Sequence, residues 1–351
     1  VNGELEDRAD YTDTISLGVS QFTEIEFAVQ ATTNATDGAN YCFRLYNNTG
    51  AGSPLNTYSK YAQVTLYTGL FEYRKRITVK AGSGGMISCG SDLTRFPLLI
   101  SITDTDLRDR ASPSGCDIIF RALTPNPNPN VCSPEFASAP CTLHHELEKY
   151  DSSTGQLIAW VQIPTLSSSS NTEIYMYYGN SSISDSFPCK NSTANPNGVW
   201  DVNYVGVWHL GETSGTQYDS TSKGNNCTAS VTTQGNAPAK IAGADEFDKL
   251  DDYVSCGTSS TLDVASTFTI EAWIFPKSIG EGGLYGAICA RGGDSTKGYE
   301  YFLENNPPDQ SIYDGTSSVS NDNGVIFNEW TFVTITNNNS AIKFYRNGEY
   351  W

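Results

Sequence analysis

The amino-acid sequence predicts an all-β protein, a chain of tandem β-sandwiches, and three observations carry that expectation. Apolar and polar residues alternate in runs of about four to eight, the period-2 pattern of strands with one buried face. Clusters of Asn, Ser, Thr, Gly and Pro separate those runs, which is the turn chemistry of many short strands. Among 351 residues there are 20 Tyr and 15 Phe but only 2 Met, a balance suited to pleated sheets.

Residues 1–69 carry three such runs. Over 22–30, Ile25, Phe27 and Val29 oppose Glu24, Glu26 and Ala28. Over 40–46, Tyr41, Phe43 and Leu45 oppose Cys42 and Arg44, and over 61–66 Val64 and Leu66 share a face. Strands this few with one apolar face seldom hold alone. The region is therefore expected to be a partial β-sandwich whose opening strands are absent, and a region for assembly.

Residues 70–189 predict a middle β-sandwich, clearest over 143–180. Leu143, His145 and Leu147 fall on one side of a strand, with His144, Glu146 and Glu148 on the other. The cluster Asp151-Ser-Ser-Thr-Gly155 reverses the chain into 156–163. There Leu157, Ala159, Val161 and Ile163 alternate with Ile158, Trp160 and Gln162, so both faces look covered. Pro164 ends that strand, 167–171 is a polar loop, and 173–178 returns with Ile174, Met176 and Tyr178 on one face. The expected arrangement is an antiparallel meander. The Pro- and Asn-dense stretch 123–142 predicts a long surface loop clipped by a Cys132–Cys141 disulfide. Residues 190–198, polar and broken by Pro196, read as a linker.

Residues 199–351 predict strands over 205–210, 268–275, 330–336 and 341–345, with a hairpin loop at 337–340. Asn347-Gly348 is the strongest hairpin signal in the chain. Only Glu349, Tyr350 and Trp351 follow it, so the returning strand is expected to be unfinished.

The net charge of −18 argues against nucleic acid or an anionic membrane as partner. No run of about 18 or more apolar residues exists, so no membrane span is expected. The chain starts at Val1 without Met or a signal-like segment and reads as a mature or trimmed piece. Nine cysteines without a C-x-x-C pair favour disulfides over zinc. Sequons at Asn34, Asn47, Asn180, Asn191, Asn226 and Asn338 point the same way, to an exported, glycosylated protein at the cell surface or beyond it. The odd cysteine count leaves one thiol unpaired or bonded to another chain, with Cys42 or Cys289 expected.

Several stretches resemble known families. Phe96-Pro-Leu-Leu-Ile-Ser-Ile-Thr, Cys116-Asp-Ile-Ile-Phe, His145-Glu-Leu-Glu-Lys-Tyr-Asp, Trp160-Val-Gln-Ile-Pro and Tyr177-Tyr-Gly-Asn resemble a β-sandwich family of unknown function. That family occurs in large secreted surface proteins, commonly just before a concanavalin A-like (laminin-G-like) jelly roll. Val207-Trp-His-Leu-Gly-Glu, Tyr218-Asp-Ser-Thr-Ser, Asp252-Tyr-Val, Phe268-Thr-Ile-Glu-Ala-Trp-Ile, Trp330-Thr-Phe-Val and Tyr345-Arg-Asn-Gly are similar to that jelly roll. The resemblance implies that Cys227 and Cys256 flank neighbouring strands at the start of the jelly roll and form a disulfide. It also implies calcium held by loop carboxylates, for which Asp219, Asp248, Asp251 and Asp252 lie in the right loops. Apart from the resemblance, the abundance of Tyr makes glycans a further candidate ligand, since sugars stack on exposed aromatics.

Catalytic chemistry finds little support. His144 and His145 point to opposite faces of a strand and cannot chelate one metal together, and His209 is expected to be structural. No G-x-S-x-G elbow and no phosphate loop occurs. Glu246-Phe-Asp248-Lys-Leu-Asp251 is similar to the E-x-D-x-x-E of laminarinase-type jelly rolls, but its third carboxyl sits on the shorter Asp. Glu271 and Glu300 have nothing in sequence to join them. The expectation is a non-enzymatic extracellular structural protein that assembles with copies of itself, as a filament or surface layer, by β-strand completion between subunits. The alternative is a carbohydrate-binding or adhesive region of a larger secreted protein.

Overall fold

A computed structural model describes residues 40–43, 62–65, 71–81, 90–122, 141–183, 189, 196–264, 267–280, 285–292, 298–304, 308–313, 318–321 and 324–350. Near the N-terminus β1 (Asn40–Phe43) and β2 (Ala62–Thr65) pair antiparallel, with Asn40 opposite Thr65. The strand expected over 22–30, the loop 123–140 and the Cys132–Cys141 pair lie outside the described residues.

Two sheets make the middle sandwich. One contains β3 (Tyr73–Val79), β9 (Thr172–Tyr178), β5 (Ile119–Ala122) and β6 (Cys141–Thr142), side by side in that order. The other contains β4 (Leu93–Thr103), β8 (Gln156–Leu166) and β7 (His145–Asp151). Leu157, Ala159, Val161 and Ile163 from β8 meet Ile174, Met176 and Tyr178 from β9 in one core, as their alternation predicts. The helix α1 (Thr105–Arg110) closes one end of that core. Its N-cap Asp104 accepts the Asp106 N–H at 2.8 Å, and Leu107 is completely buried.

Two expectations for this sandwich need correction. The 143–180 stretch is not a meander: β7 and β8 pair as a hairpin, but β9 leaves for the opposite sheet and lies between β3 and β5. The free edge of β8 is already taken by β4 along its whole length, so the polar loop 167–171 carries the chain across. Nor does Pro164 end β8. The register steps from Phe96–Ile163 to Thr94–Thr165, leaving Pro164 opposite an irregularity at Arg95, whose φ is 54°. The N–H that Pro lacks falls where the ladder is already broken. A disulfide between Cys116 and Cys189, 73 residues apart, ties the core to the end of the sandwich. It was not legible beforehand, since nothing in spacing picks that pair from nine cysteines.

A short helix, α2 (Pro196–Val199), follows and packs on β7 and β8. The strand expected over 205–210 does not form; a single bridge joins Trp208 to Asp219. Leu210 leaves the strand conformation with φ of 54°, and the His209 side chain is drawn to Glu146 and Glu148 of the middle sandwich. A small sheet comes next, from β10 (Thr216–Gln217), β11 (Cys227–Ser230) and β12 (Tyr253–Ser255), locked by the expected Cys227–Cys256 disulfide.

The C-terminal sandwich sets β13 (Thr267–Ile274), β18 (Thr331–Asn338), β19 (Ile342–Arg346) and β20 (Glu349–Tyr350) against a second four-stranded sheet. That sheet holds β14 (Tyr285–Arg291), β15 (Tyr299–Glu304), β16 (Asp309–Tyr313) and β17 (Ser318–Asn321). Tyr301, Leu303 and Ile312 pack on Val333, Ile335 and Phe344 between them. Asn347 and Gly348 turn β19 into β20 with φ of 51° and 84°, the left-handed pair of a type I′ hairpin. Cys289 on β14 is a free thiol, one of the two expected.

The turn before β8 supplies a test of this architecture. Gly155 has φ of 75°, and a Cβ there would lie 1.9 Å from the carbonyl oxygen of Asp104, whose own N–H donates to the Gly155 carbonyl. Gly155→Ala is expected to destabilise the protein by about 2–4 kcal/mol, from φ strain plus the displaced α1 cap. A urea midpoint unchanged from the parent protein would show that the turn does not hold the helix.

Candidate functional site

The outer face of the C-terminal sheet carries large aromatic side chains on what is otherwise its polar side. On β13, Phe268, Ile270, Ala272 and Ile274 turn to the core, so Thr267, Thr269, Glu271 and Trp273 face outward. Trp273 lies directly across from Phe332 of β18, ring centroids 5.2 Å apart. Tyr345 and Tyr350 repeat the arrangement on β19 and β20 at 5.7 Å. Trp273 is 37% and Tyr350 67% exposed. The ammonium groups of Lys240 and Lys343 stand 5.2 Å and 5.8 Å from the ring centres of Trp273 and Tyr350. A surface pocket of about 370 Å³ opens here, lined by Lys240, Trp273, Trp330, Phe332, Asn347 and Gly348. Asn347 shapes its rim by accepting the Phe332 N–H at 3.0 Å. Flat apolar rings beside hydroxyls, a carboxylate and ammonium groups are the surface on which sugar rings stack and hydrogen-bond.

A second feature is largely withdrawn from solvent. Glu146 and Glu148 project from β7 away from the core, with a β-bulge at 147–149 that re-aims Glu148. Between them lies the imidazole of His209, its Nε2 3.2 Å from Glu146 and its Nδ1 3.3 Å from Glu148. Nε2 makes no well-directed hydrogen bond, so its contact with Glu146 is an ion pair when the ring is protonated. Each carboxylate also accepts an indole N–H, Glu146 from Trp200 at 2.9 Å and Glu148 from Trp160 at 2.7 Å. The Ser220 hydroxyl donates to the other Glu146 oxygen.

The charges respond to this enclosure. Burial opposes the charged form of His209, but its contacts with Glu146 and the charges of Glu148 and Glu212 outweigh it and raise its pKa above 6.5. Burial likewise pushes Glu146 upward, yet His209, Ser220 and Trp200 bring it below the ordinary carboxylate value. For Glu148 burial wins over His209 and Trp160, and its pKa is raised. His145, wholly buried, is pushed down to about 4 by desolvation, and its Nδ1 lies 3.1 Å from the Leu143 carbonyl oxygen.

Three of the four expected metal ligands come together. Oxygens of Asp248, Asp251 and Asp252 lie within 4.8 Å of one another in the turn before β12. Asp219 does not join them: its oxygens accept N–H groups of Val207, Thr221 and Asn225 and the Thr221 hydroxyl, which makes it the organiser of its own loop. Glu246 turns to Lys277 in an ion pair and is not one of the acidic group. Glu271 on β13 and Glu300 on β15 belong to different sheets. Of the sequons, Asn226 and Asn338 are exposed, Asn180 is only 3% exposed, and Asn34, Asn47 and Asn191 lie outside the described residues.

Comparison with known families fits this geometry. Residues 247–350 match the model of the concanavalin A-like lectin/glucanases superfamily. The chain carries a concanavalin A-like domain at its C-terminus. Residues 135–222 match a domain of unknown function (DUF2341), so this domain stands before the concanavalin A-like one. No curated protein and no solved structure matches the chain. The DUF2341 match takes in Glu146, Glu148, Trp160, Trp200 and His209 together. The concanavalin A-like match takes in Trp273, Trp330, Phe332 and the Asn347-Gly348 turn.

Sequence reasoning passed over the aromatic face, although a signal was present. Trp273, Phe332 and Tyr345 each sit at the polar parity of an amphipathic strand, alternating with Ala272 and Ile274, Val333, and Phe344. An aromatic residue at an outward position is a surface feature by period alone.

The buried cluster gives its own test. Glu146→Gln leaves the His209 ring facing an amide and removes one buried charge of a pair. It is expected to cost about 3–5 kcal/mol of stability, measured by chemical denaturation. The exposed change Glu173→Gln should stay within about 0.5 kcal/mol of the parent.

Proposed function

We propose that this chain is a non-enzymatic, extracellular carbohydrate-binding or adhesive protein, and that the glycan site is the outer face carrying Trp273 and Phe332. The observation behind it is that cross-strand pair, exposed on an otherwise polar sheet face and bordered by a pocket of about 370 Å³. The concanavalin A-like match supports a lectin-type role for the same residues. A binding role is favoured over hydrolysis because the carboxylates that glycoside cleavage needs as a facing pair are turned elsewhere, Glu246 to Lys277 and Glu271 to a different sheet from Glu300. Two disulfides and exposed sequons at Asn226 and Asn338 support placement outside the cell. In this reading residues 70–189 are a β-sandwich and 199–351 a concanavalin A-like jelly roll whose last strand is unfinished, joined by 190–198, with 1–69 a further partial sandwich.

Self-assembly has no such support. The apolar face on which subunit completion would rest, from Ile25 to Leu66, falls outside the residues whose side chains are described. The test of the glycan reading is a polysaccharide and glycan array probed with the whole chain, followed by titration of any positive ligand. Trp273→Ala is expected to weaken binding about tenfold or more with an unchanged melting temperature, the loss of one stacking ring. Equal binding by parent and variant would remove the site.

Calcium belongs to the same reading. The carboxylates of Asp248, Asp251 and Asp252, two exposed and one half-buried, form an all-oxygen donor set, which suits a hard divalent cation. Asp252 is held for that task by the Thr232 N–H at 3.0 Å and the Asp248 N–H at 2.8 Å. Millimolar Ca²⁺ is expected to raise the melting temperature by a few degrees, Mg²⁺ less, and Asp251→Asn should abolish the rise. No shift with Ca²⁺ in the parent protein would exclude the site.

A further inference from the structure

His209 lies where two parts of the chain are held together. Residues 196–220 run across the face of β7 and β8 that the sandwich core leaves uncovered. Their anchor points are few and can be named. Gln162 donates to the Val199 carbonyl at 3.0 Å, Trp200 and Ser220 donate to Glu146, and His209 stands between Glu146 and Glu148. Trp160 stacks on the imidazole at 6.0 Å with the planes 27° apart, and Trp200 flanks it at 6.1 Å. Of these anchors only the His209 contact changes its charge near neutral pH.

Among the described residues, the groups facing His209 are all acidic or neutral. From β7 come Glu146 and Glu148; from its own segment comes Glu212; β8 and α2 contribute Trp160, Gln162 and the residues before Trp200, none of them charged. With the ring protonated, two carboxylates share one cation. With the ring neutral, two nearly buried carboxylates face each other across an uncharged ring, and desolvation and repulsion then act together.

We propose that His209 is a pH-operated bolt: as imidazolium it holds residues 196–220 on the DUF2341 sandwich, and loss of its proton as the pH rises loosens that contact while both sandwiches stay folded. The direction follows from linkage. His209 is raised above 6.5, so its stabilisation is complete below about 6.5 and is lost as pH rises through the folded-state value. Glu146, lowered below 4.5, gives stabilisation that is lost only as pH falls through its own folded-state value. Glu148, raised, works against Glu146 and regains stability on protonation. The bolt is therefore shut below about 6.5 and drawn as pH rises through the folded-state value of His209.

The experiment is a pH titration of the whole chain between pH 5 and 10. It follows the imidazole C–H signals by NMR, and the backbone amide exchange of residues 199–210 after correction for intrinsic rate. His209 is assigned as the signal missing from His209→Gln. We expect its midpoint above 6.5, and exchange through opening that rises by up to tenfold per pH unit as the ring deprotonates. Glu148→Gln should lower the His209 midpoint, and in His209→Gln the exchange should lose its pH dependence. The parent protein alone can overturn the proposal. A midpoint at or below 6.5 does so, and so does deprotonation with no change in the exchange of 199–210, whether or not the variants fold.

Discussion

Strand β8 has no face to give to water, and most of this architecture answers that constraint. Leu157, Ala159, Val161 and Ile163 point into the sandwich core and are fully buried. On the other face Ile158 and Gln162 are just as inaccessible. A strand of this kind normally belongs to a parallel sheet covered by helices on both sides. Here the sheet is antiparallel, and the segment 196–220, whose one-turn helix packs on β7 and β8, supplies cover on the second face. Each buried side chain of this size is worth about 1.5–3 kcal/mol, so the sandwich gains its full core only when the later segment lies on it. The match of the DUF2341 model to residues 135–222 takes in the strand and its cover together.

Placing charges in that cover is costly on its own. Moving two carboxylates and an imidazolium out of water is often matched or bettered by an apolar substitute of the same volume. What the charges add is a unique seating. A greasy strip could slide along β7 and β8; one imidazolium that must meet Glu146 through Nε2 and Glu148 through Nδ1 cannot. The two indole N–H donors enforce the same register from both sides, Trp160 from β8 and Trp200 from the segment itself.

How much of this could be read beforehand divides along physical lines. Local alternation marked β7, β8 and β9 in the middle sandwich and β13, β18 and β19 in the C-terminal one, together with the Asp151–Gly155 turn and the Asn347-Gly348 hairpin, because period and turn chemistry are properties of neighbouring residues; it did not mark β14 to β17. The alternation of both faces of β8 even announced a cover without naming it. Long-range pairings were hidden. Whether β9 pairs with β8 or crosses to β3 depends on the competing claim of β4, some 60 residues upstream of β8 (Leu93 against Gln156). The Cys116–Cys189 bridge is closed by tertiary packing, and no spacing rule selects it. The stretch 205–210 failed as a strand for a related reason. Its side chains are half-buried and tied to separate partners, His209 to Glu146 and Glu148 and Trp208 to the Asn225 carbonyl, and none of these contacts is a ladder. Asp219 failed as a metal ligand because loop N–H groups, invisible to a residue-type argument, had already taken its oxygens.

The outer aromatic face poses the opposite problem, apolar area that the fold does not cover. Trp273, Phe332, Tyr345 and Tyr350 would together form a sticky surface if they were contiguous with aliphatic side chains. They are not. Thr269, Thr334 and Thr336 and the carboxylate of Glu271 share the same face, and two lysines lie over its rings. A purely apolar partner would bury those hydroxyls and charges without hydrogen bonds, at about 1–3 kcal/mol for each group left unpaired. A partner with both an apolar ring face and a rim of hydroxyls loses neither, since it stacks on the aromatics and returns the hydrogen bonds. That asymmetry is why the proposed ligand is a sugar and not a hydrophobic peptide, and it follows from which residues alternate with the aromatics as much as from the aromatics themselves.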